Sequence, residues 1–224
     1  LRIIIESGKK AIAITAVDPD EVFSINSRRQ LAEVSKVMQD RIQGRLLANG
    51  VTIVDPANTW VDARAEIGKD TVIQPFTYIH GRVRIGRQCQ VGPFAYLRDG
   101  TVLEDNVILG VFTEVKNSRI GEKSRARHHT YIGDAQVGRR VNIGAGTIFA
   151  NYDGREISRT EVGDDVFIGS GAVLVAPVRV RRKTHVQPGM VVRNNGGERL
   201  GENSGAPGRR PSDGSKRRKS GRQP

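Results

Sequence analysis

The 224 residues, 37% apolar and 27% charged, suffice for one medium domain or two small ones with an ordinary core. No apolar run approaches the roughly 18 residues of a membrane span, so no membrane partner is expected. A single cysteine, Cys89, excludes an internal disulfide framework and fits a reducing, cytoplasmic setting. The net charge of +12 suits an anionic ligand as well as it suits a plain basic surface.

The chain begins at Leu1, not Met, and carries no legible signal peptide, which points to a fragment. Arg2–Ile5 and Ala11–Val17 read as two short strands around the turn Ser7-Gly8. Two strands cannot make a domain alone, so residues 1–26 read as the end of a larger one. A helix is predicted over 27–48. Its apolar positions Leu31, Val34, Val37, Met38, Ile42, Leu46 and Leu47 recur every three or four residues. Ser27 and Gln30 form a capping-box pattern, and Asn49-Gly50 stops the helix.

Repeats organise the chain beyond this helix. Stepping by six from Val61 gives Ile67, Ile73, Ile79, Ile85, Val91, Leu97, Leu103, Leu109 and Val115, all aliphatic. The step shortens to five at Ile120, returns to six through Ala126 and Ile132, and shortens again at Val137. Ile143 and Phe149 come next. Residues 150–162 then hold one repeat slot plus an insertion, and Val162, Ile168, Leu174, Val180, Val186 and Val192 restore the period. Period six is neither the helical 3.6 nor the strand's 2. It fits short strands joined by tight turns, with glycine supplying unusual φ at the corners. Three such units make one triangular coil, and coils stack at roughly the 4.8 Å inter-strand spacing. Residues 49–195 are therefore predicted to form a mainly β structure, a parallel β-helix of hexapeptide repeats. From Gly197 to Pro224 eight Lys/Arg face three acids in a Gly-, Ser- and Pro-rich context, so 196–224 are predicted to be a disordered basic tail.

Several runs carry a family resemblance. Ser24-Ile-Asn-Ser-Arg28, the helix and Gly50-Val-Thr-Ile-Val-Asp-Pro56 resemble the junction of the bifunctional UDP-N-acetylglucosamine pyrophosphorylase/glucosamine-1-phosphate N-acetyltransferases (GlmU). Gly92-Pro-Phe-Ala-Tyr-Leu-Arg98, Glu114-Val-Lys116, His128-His-Thr-Tyr-Ile-Gly-Asp134, Asn142-Ile-Gly-Ala-Gly-Thr147, Asn151-Tyr-Asp-Gly154 and Gly163-Asp-Asp-Val-Phe-Ile-Gly-Ser170 resemble its acetyltransferase half in order and spacing. The resemblance implies a left-handed β-helix, a homotrimer with active sites between subunits, and acetyl transfer from acetyl-CoA to glucosamine 1-phosphate in UDP-N-acetylglucosamine biosynthesis. It makes 1–26 the remnant of an α/β nucleotidyltransferase (pyrophosphorylase) domain and 27–48 its linker helix. The pyrophosphorylase half uses Mg²⁺; Asn26 matches one of its metal ligands but has no partners here.

An amine attacks a thioester only when unprotonated, so a base with a pKa near neutrality is needed, and His suits. By the resemblance His128 is that base and Glu114 the carboxylate that orients it, the pair facing one groove from adjacent coils. Arg98 and Lys116 match phosphate and sugar binders, the work for which such cations are suited; solvated surface charge is the plainer reading. Tyr131 and Asn142 match further sugar-phosphate contacts. Asn151 and Tyr152 match residues near the acetyl group, and Ala145 and Ser170 match acetyl-CoA contacts. Two departures stand out. Ile157 occupies a slot where the family has a substrate-contacting Lys, with Arg155 and Arg159 nearby. The family's C-terminal segment with a CoA-binding Arg is missing, and Pro188 replaces a small residue. These departures keep open a hexapeptide acyltransferase acting on another amino sugar, and a decayed trimeric scaffold. A zinc enzyme would need three of His80, His128, His129 and His185 to converge. The Lys216–Lys219 run lacks interleaved aromatics, so no nucleic-acid partner is expected.

Overall fold

A computed structural model describes residues 2–8, 10, 12, 14, 16, 17 and 21–194; the basic tail lies outside the described residues. Strands, most of them two or three residues long, stack in three parallel ladders. The first ladder holds Thr52–Ile53, Val72–Ile73, Gln90–Val91, Asn142–Ile143, Phe167–Ile168 and His185–Val186. The second holds Trp60–Val61, Tyr78–Ile79, Tyr96–Leu97, Ile148–Ala150, Val173–Val175 and Val191–Val192. Two nine-residue strands, Ile108–Lys116 and Arg125–Gly133, turn the corner and serve both ladders. The third ladder runs from Glu66–Ile67 to Val178–Val180. The result is a left-handed parallel β-helix of about eight turns. Among the described residues no helix is long and apolar enough to cross a membrane.

Every period-six residue from Val61 to Val192 is buried, apart from the partly buried Ile67. A second interior column escaped the period. Two residues before each aliphatic, apart from Val192 in the last coil, stands a smaller side chain, among them Thr71, Val83, Cys89, Ala95, Thr101, Ser118 and Ser124. Small size lets it fit the coil's corner, and several of its hydroxyls satisfy corner carbonyls: Thr71 Oγ1 donates to Gly86 O at 2.8 Å and Ser124 Oγ to Gly138 O at 2.8 Å.

Two expectations need correction at the N-terminal end. Arg2–Glu6 is a short helix, α1, not a strand. Among the described residues no strand lies beside it to pair, and its backbone bonds locally; Arg2 pairs with Glu6 at 2.9 Å and Ser7 Oγ donates to Ile4 O. The described residues of the second predicted strand carry no strand either.

The predicted long helix is present as α2, Arg28–Ala48. Ser27 Oγ accepts from Gln30 N–H, while Gln30 Oε1 accepts from Asn26 N–H at 2.8 Å, one residue before the N-cap. At the other end Gly50 N–H donates to Leu47 O and Val51 N–H to Leu46 O, a Schellman closure with Gly50 at φ +85°. α2 buries only part of the predicted apolar stripe, Ile42 and Leu46, with Val34 and Val37 half-buried. Its buried residues are Gln39, Ile42, Gln43 and Leu46, whereas Leu31, Met38 and Leu47 are exposed. The helix lies over the open end of the coil, where the first strands present unpaired backbone. Gln39 Nε2 donates to Val61 O at 2.8 Å and Gln39 Oε1 accepts from Val61 N–H at 2.9 Å; Gln43 Nε2 donates to Thr59 O at 2.8 Å. The glutamine amide takes the place of a missing strand.

Candidate functional site

The corner between the first two ladders carries one half of the predicted site. The register Ala126↔Ile143↔Ile168↔Val186 puts His128, Ala145, Ser170 and Pro188 in one column, one coil apart, at a rise of roughly 4.8 Å each. Gly171 N–H donates to Ala145 O at 2.7 Å, and Gly189 N–H to Ser170 O at 2.8 Å. The next residue in each coil adopts left-handed φ. In the lower coils these are Phe76, Phe94, Phe112 and His129, whose rings stack at 4.8, 5.3 and 4.9 Å. Above His129 they become Gly146, Gly171 and Gly189. No atom lies nearer than 3.8 Å to where a Cβ would stand on any of these three. The side-chain ladder thus gives way to an open shelf beside Ala145 and Ser170. His128 is exposed and lines a hollow of roughly 290 Å³ with Gln74, Gln90, Pro93 and Arg127.

The second half lies around the far edge of the second ladder. Lys116 Nζ stands 3.6 Å from Asp134 Oδ2. Asp134 also accepts from Asn117 Nδ2 at 2.6 Å and from Asn151 Nδ2 at 2.5 Å. Beside them Gly133 has no room for a side chain: a Cβ would sit 2.4 Å from the Tyr131 hydroxyl and 2.8 Å from Asn151 Nδ2. Lys116, Tyr131 and Asn151 therefore converge. One coil lower, Arg98 Nη1 donates to Glu114 Oε1 at 3.0 Å, which holds the guanidinium even more firmly protonated than usual, and its Cζ lies 5.7 Å from the Tyr96 ring. Burial pushes the Asp134 carboxyl up, but the two amides and Lys116 outweigh it and hold it below the ordinary carboxylate value.

Other predicted residues fall outside this convergence. Glu114 was expected to orient His128, yet it stands opposite Tyr131, while His128 stands opposite Val111, across the corner. Its carboxylate is taken by Arg98 because that guanidinium projects from the same ladder one coil below. Asn142 points outward on the first ladder between Arg125 and Phe167. Asn151 is buried on Asp134, whereas Tyr152 is exposed and bridges to Ile157 across the insertion. Ile157 is exposed too. Asp153 Oδ1 closes that turn by accepting from the N–H groups of Arg155 and Glu156.

Asp134 and Asn117 were not among the predicted site residues. The signal was the pair of five-residue steps, since both sit at the shortened corners with left-handed φ of 48° and 44°. Asn26 is exposed, with its amide donated to Ser24 Oγ at 3.4 Å, and a lone carboxamide does not make a Mg²⁺ site. Among the described residues no three His, Cys, Asp or Glu converge as a metal site would require; His80, His129 and His185 each stack on a different aromatic ring.

Comparison with known proteins places these features in a family context. Residues 64–98 match the bacterial transferase hexapeptide (six repeats) model, and residues 159–193 the hexapeptide repeat of succinyl-transferase. The bifunctional protein GlmU of Acetivibrio thermocellus is 39% identical over 86% of this chain and 49% of its own length. Those of Thermosipho melanesiensis and Pelobacter propionicus are each 40% identical, over 81% and 84% of this chain and 48% of their own length. Among solved structures, the acetyltransferase domain of PglB from Neisseria gonorrhoeae, in complex with acetyl coenzyme A, is 18% identical with a TM-score of 0.42, over 70% of this chain and 65% of that one. The chain thus carries hexapeptide repeats, is similar to the GlmU proteins over most of its own length, and spans about half the length of these relatives.

Proposed function

We propose that this chain is the acetyltransferase part of a bifunctional enzyme and moves acetyl from acetyl-CoA to the 2-amino group of glucosamine 1-phosphate. The observation that carries this reading is the division of polar groups along the single strand Arg125–Gly133. At one end His128 starts a column with Ala145 and Ser170 beside an open glycine shelf; at the other, Tyr131 meets Lys116 and Asn151. A long, thin thioester fits the shelf, and a compact sugar phosphate fits the cationic end with Arg98 one coil below.

In this mechanism Lys116 and Arg98 bind the phosphate, and the Tyr131 hydroxyl and Asn142 hold the sugar. The neutral amine attacks the thioester carbonyl and forms the C–N bond. His128 takes the proton that the nitrogen sheds. Collapse of the tetrahedral oxyanion breaks the C–S bond, and the proton on His128 passes to the departing CoA sulfur. The His128 hollow and the Lys116 cluster open on different ladders, so a neighbouring copy is needed to close a complete pocket; a homotrimer supplies one. Residues 1–26 belong, in this reading, to the edge of a nucleotidyltransferase domain that would use Mg²⁺ elsewhere in the longer protein. The buried, unpaired Cys89 supports a cytoplasmic setting.

The test is release of free thiol from acetyl-CoA with glucosamine 1-phosphate as acceptor. His128→Ala should lower kcat by about 10²-fold or more. Turnover that survives the substitution would remove His128 from the mechanism. A second reading, another amino-sugar acceptor, draws on Ile157 in the insertion. It predicts turnover with a different amino sugar under conditions where glucosamine 1-phosphate gives none.

A further inference from the structure

We propose that Asp134 is a positioning residue that aims Lys116, and with it the root of the insertion at Asn151, at the phosphate of the incoming sugar. The inference rests on the sugar-phosphate reading of this site. Asp134 is 7% exposed, and a carboxylate so buried persists only when paired and hydrogen-bonded. Its partners come from two other coils: Lys116 and Asn117 from the coil below, Asn151 from the coil above.

The corner does not need this side chain to close. Asp134 N–H donates to Lys116 O at 3.0 Å, and Thr160 N–H to Asp134 O at 3.2 Å, so the backbone there is already tied. Mere bracing between Asn117 and Asn151 would be served by a neutral acceptor. A buried anion is the costlier choice, and it is warranted where a cation must be held. The separation of 3.6 Å from Lys116 is longer than an ordinary hydrogen bond, so the carboxylate orients the ammonium chiefly by charge without using up its three N–H donors. Lys116 keeps 29% of its side chain exposed, next to the Tyr131 hydroxyl over Gly133.

The experiment is a double-mutant cycle on the full chain, with glucosamine 1-phosphate binding read by calorimetry alongside steady-state kinetics. Asp134→Asn should weaken binding about tenfold or more and raise KM for the sugar phosphate by a like factor, with KM for acetyl-CoA little changed. Lys116→Ala should weaken binding similarly, and the double variant should bind no worse than Lys116→Ala alone. Additive losses, or equal loss of affinity for both substrates, would reduce Asp134 to a brace. If Asp134→Asn does not fold, Asp134→Ser, which leaves room for a water between the two amides, carries the same cycle. Binding without turnover in the parent would sink the acetyl-transfer reading and leave the cycle decisive. A parent that binds no glucosamine 1-phosphate would overturn both.

Discussion

Gln39→Leu tests what α2 does for the coil. Gln39 is 8% exposed and Val61 fully buried, and the amide holds both the N–H and the carbonyl of Val61. Leucine is close in size and a good helix former, so α2 itself should persist. The substitution strands one buried donor and one buried acceptor at about 1–3 kcal/mol each, and the added apolar burial returns about 1–2 kcal/mol. Taking the middle of each range, the net loss is about 2.5 kcal/mol, or roughly 70-fold in an opening equilibrium. In a solenoid each coil contacts only its neighbours, so the loss should stay local. Amide hydrogen exchange is therefore the assay. Protection at Trp60–Asp62 should fall by that factor, while Ala126–Ile132 at mid-coil keeps its protection. Gln43→Leu strands the Thr59 carbonyl and removes a 3.4 Å bond to Gln39 Oε1, which keeps the Val61 N–H, so it should cost less. Unchanged exchange at Trp60–Asp62, or equal loss along the whole coil, would refute the view that α2 acts as a substitute strand.

Two further outcomes rest on buried groups. Asp134 has its folded pKa depressed, so its contribution to stability is full above the unfolded value of about 3.9 and is lost as pH falls through the folded one. The gap in urea midpoint between the parent and Asp134→Asn should be open at pH 7 and narrow below about pH 4; a gap constant with pH would contradict the pairing. Burial pushes the Cys89 thiol up, and its Sγ donates to Glu104 O at 3.1 Å. Labelling by an aromatic disulfide at pH 8 should track the unfolding rate in denaturant, and rapid labelling of the native protein would show that the second interior column is open.

The coil was legible because its driving force has a fixed period. One aliphatic per strand must face the interior, and every such position from Ile73 to Val192 does. The small column two residues earlier was harder to see, because Thr, Ser, Ala, Cys and Val share volume but no hydropathy. The helix face was read only in part, for a related reason: Ile42 and Leu46 are buried as the stripe predicts, but Gln39 and Gln43 are buried beside them. Apolar periodicity assumes an apolar partner, and α2 meets the end of a sheet, where the unmet need is for hydrogen bonds; Gln39 and Gln43 answer it. Arg2–Ile5 was misread because β-propensity counts only where a strand waits to be paired.

The candidate site was legible in part, and the part that was missed had left a mark. In the lower coils Gly81 and Gly100 supply left-handed backbone near the edge after the second ladder. In the two five-residue corners Asn117 and Asp134 do so, and in the next coil the insertion starts there at Asn151. Asn and Asp tolerate that conformation, so a glycine corner can be exchanged for one that bears a polar side chain. Shortening the corner also draws successive coils into contact through those side chains, which is how Asn117, Asp134 and Asn151 come to hydrogen-bond. The regular repeats of this chain hold its core. The places where the period fails are where it can afford polar groups, and the two shortened steps with the insertion mark the cluster around Lys116.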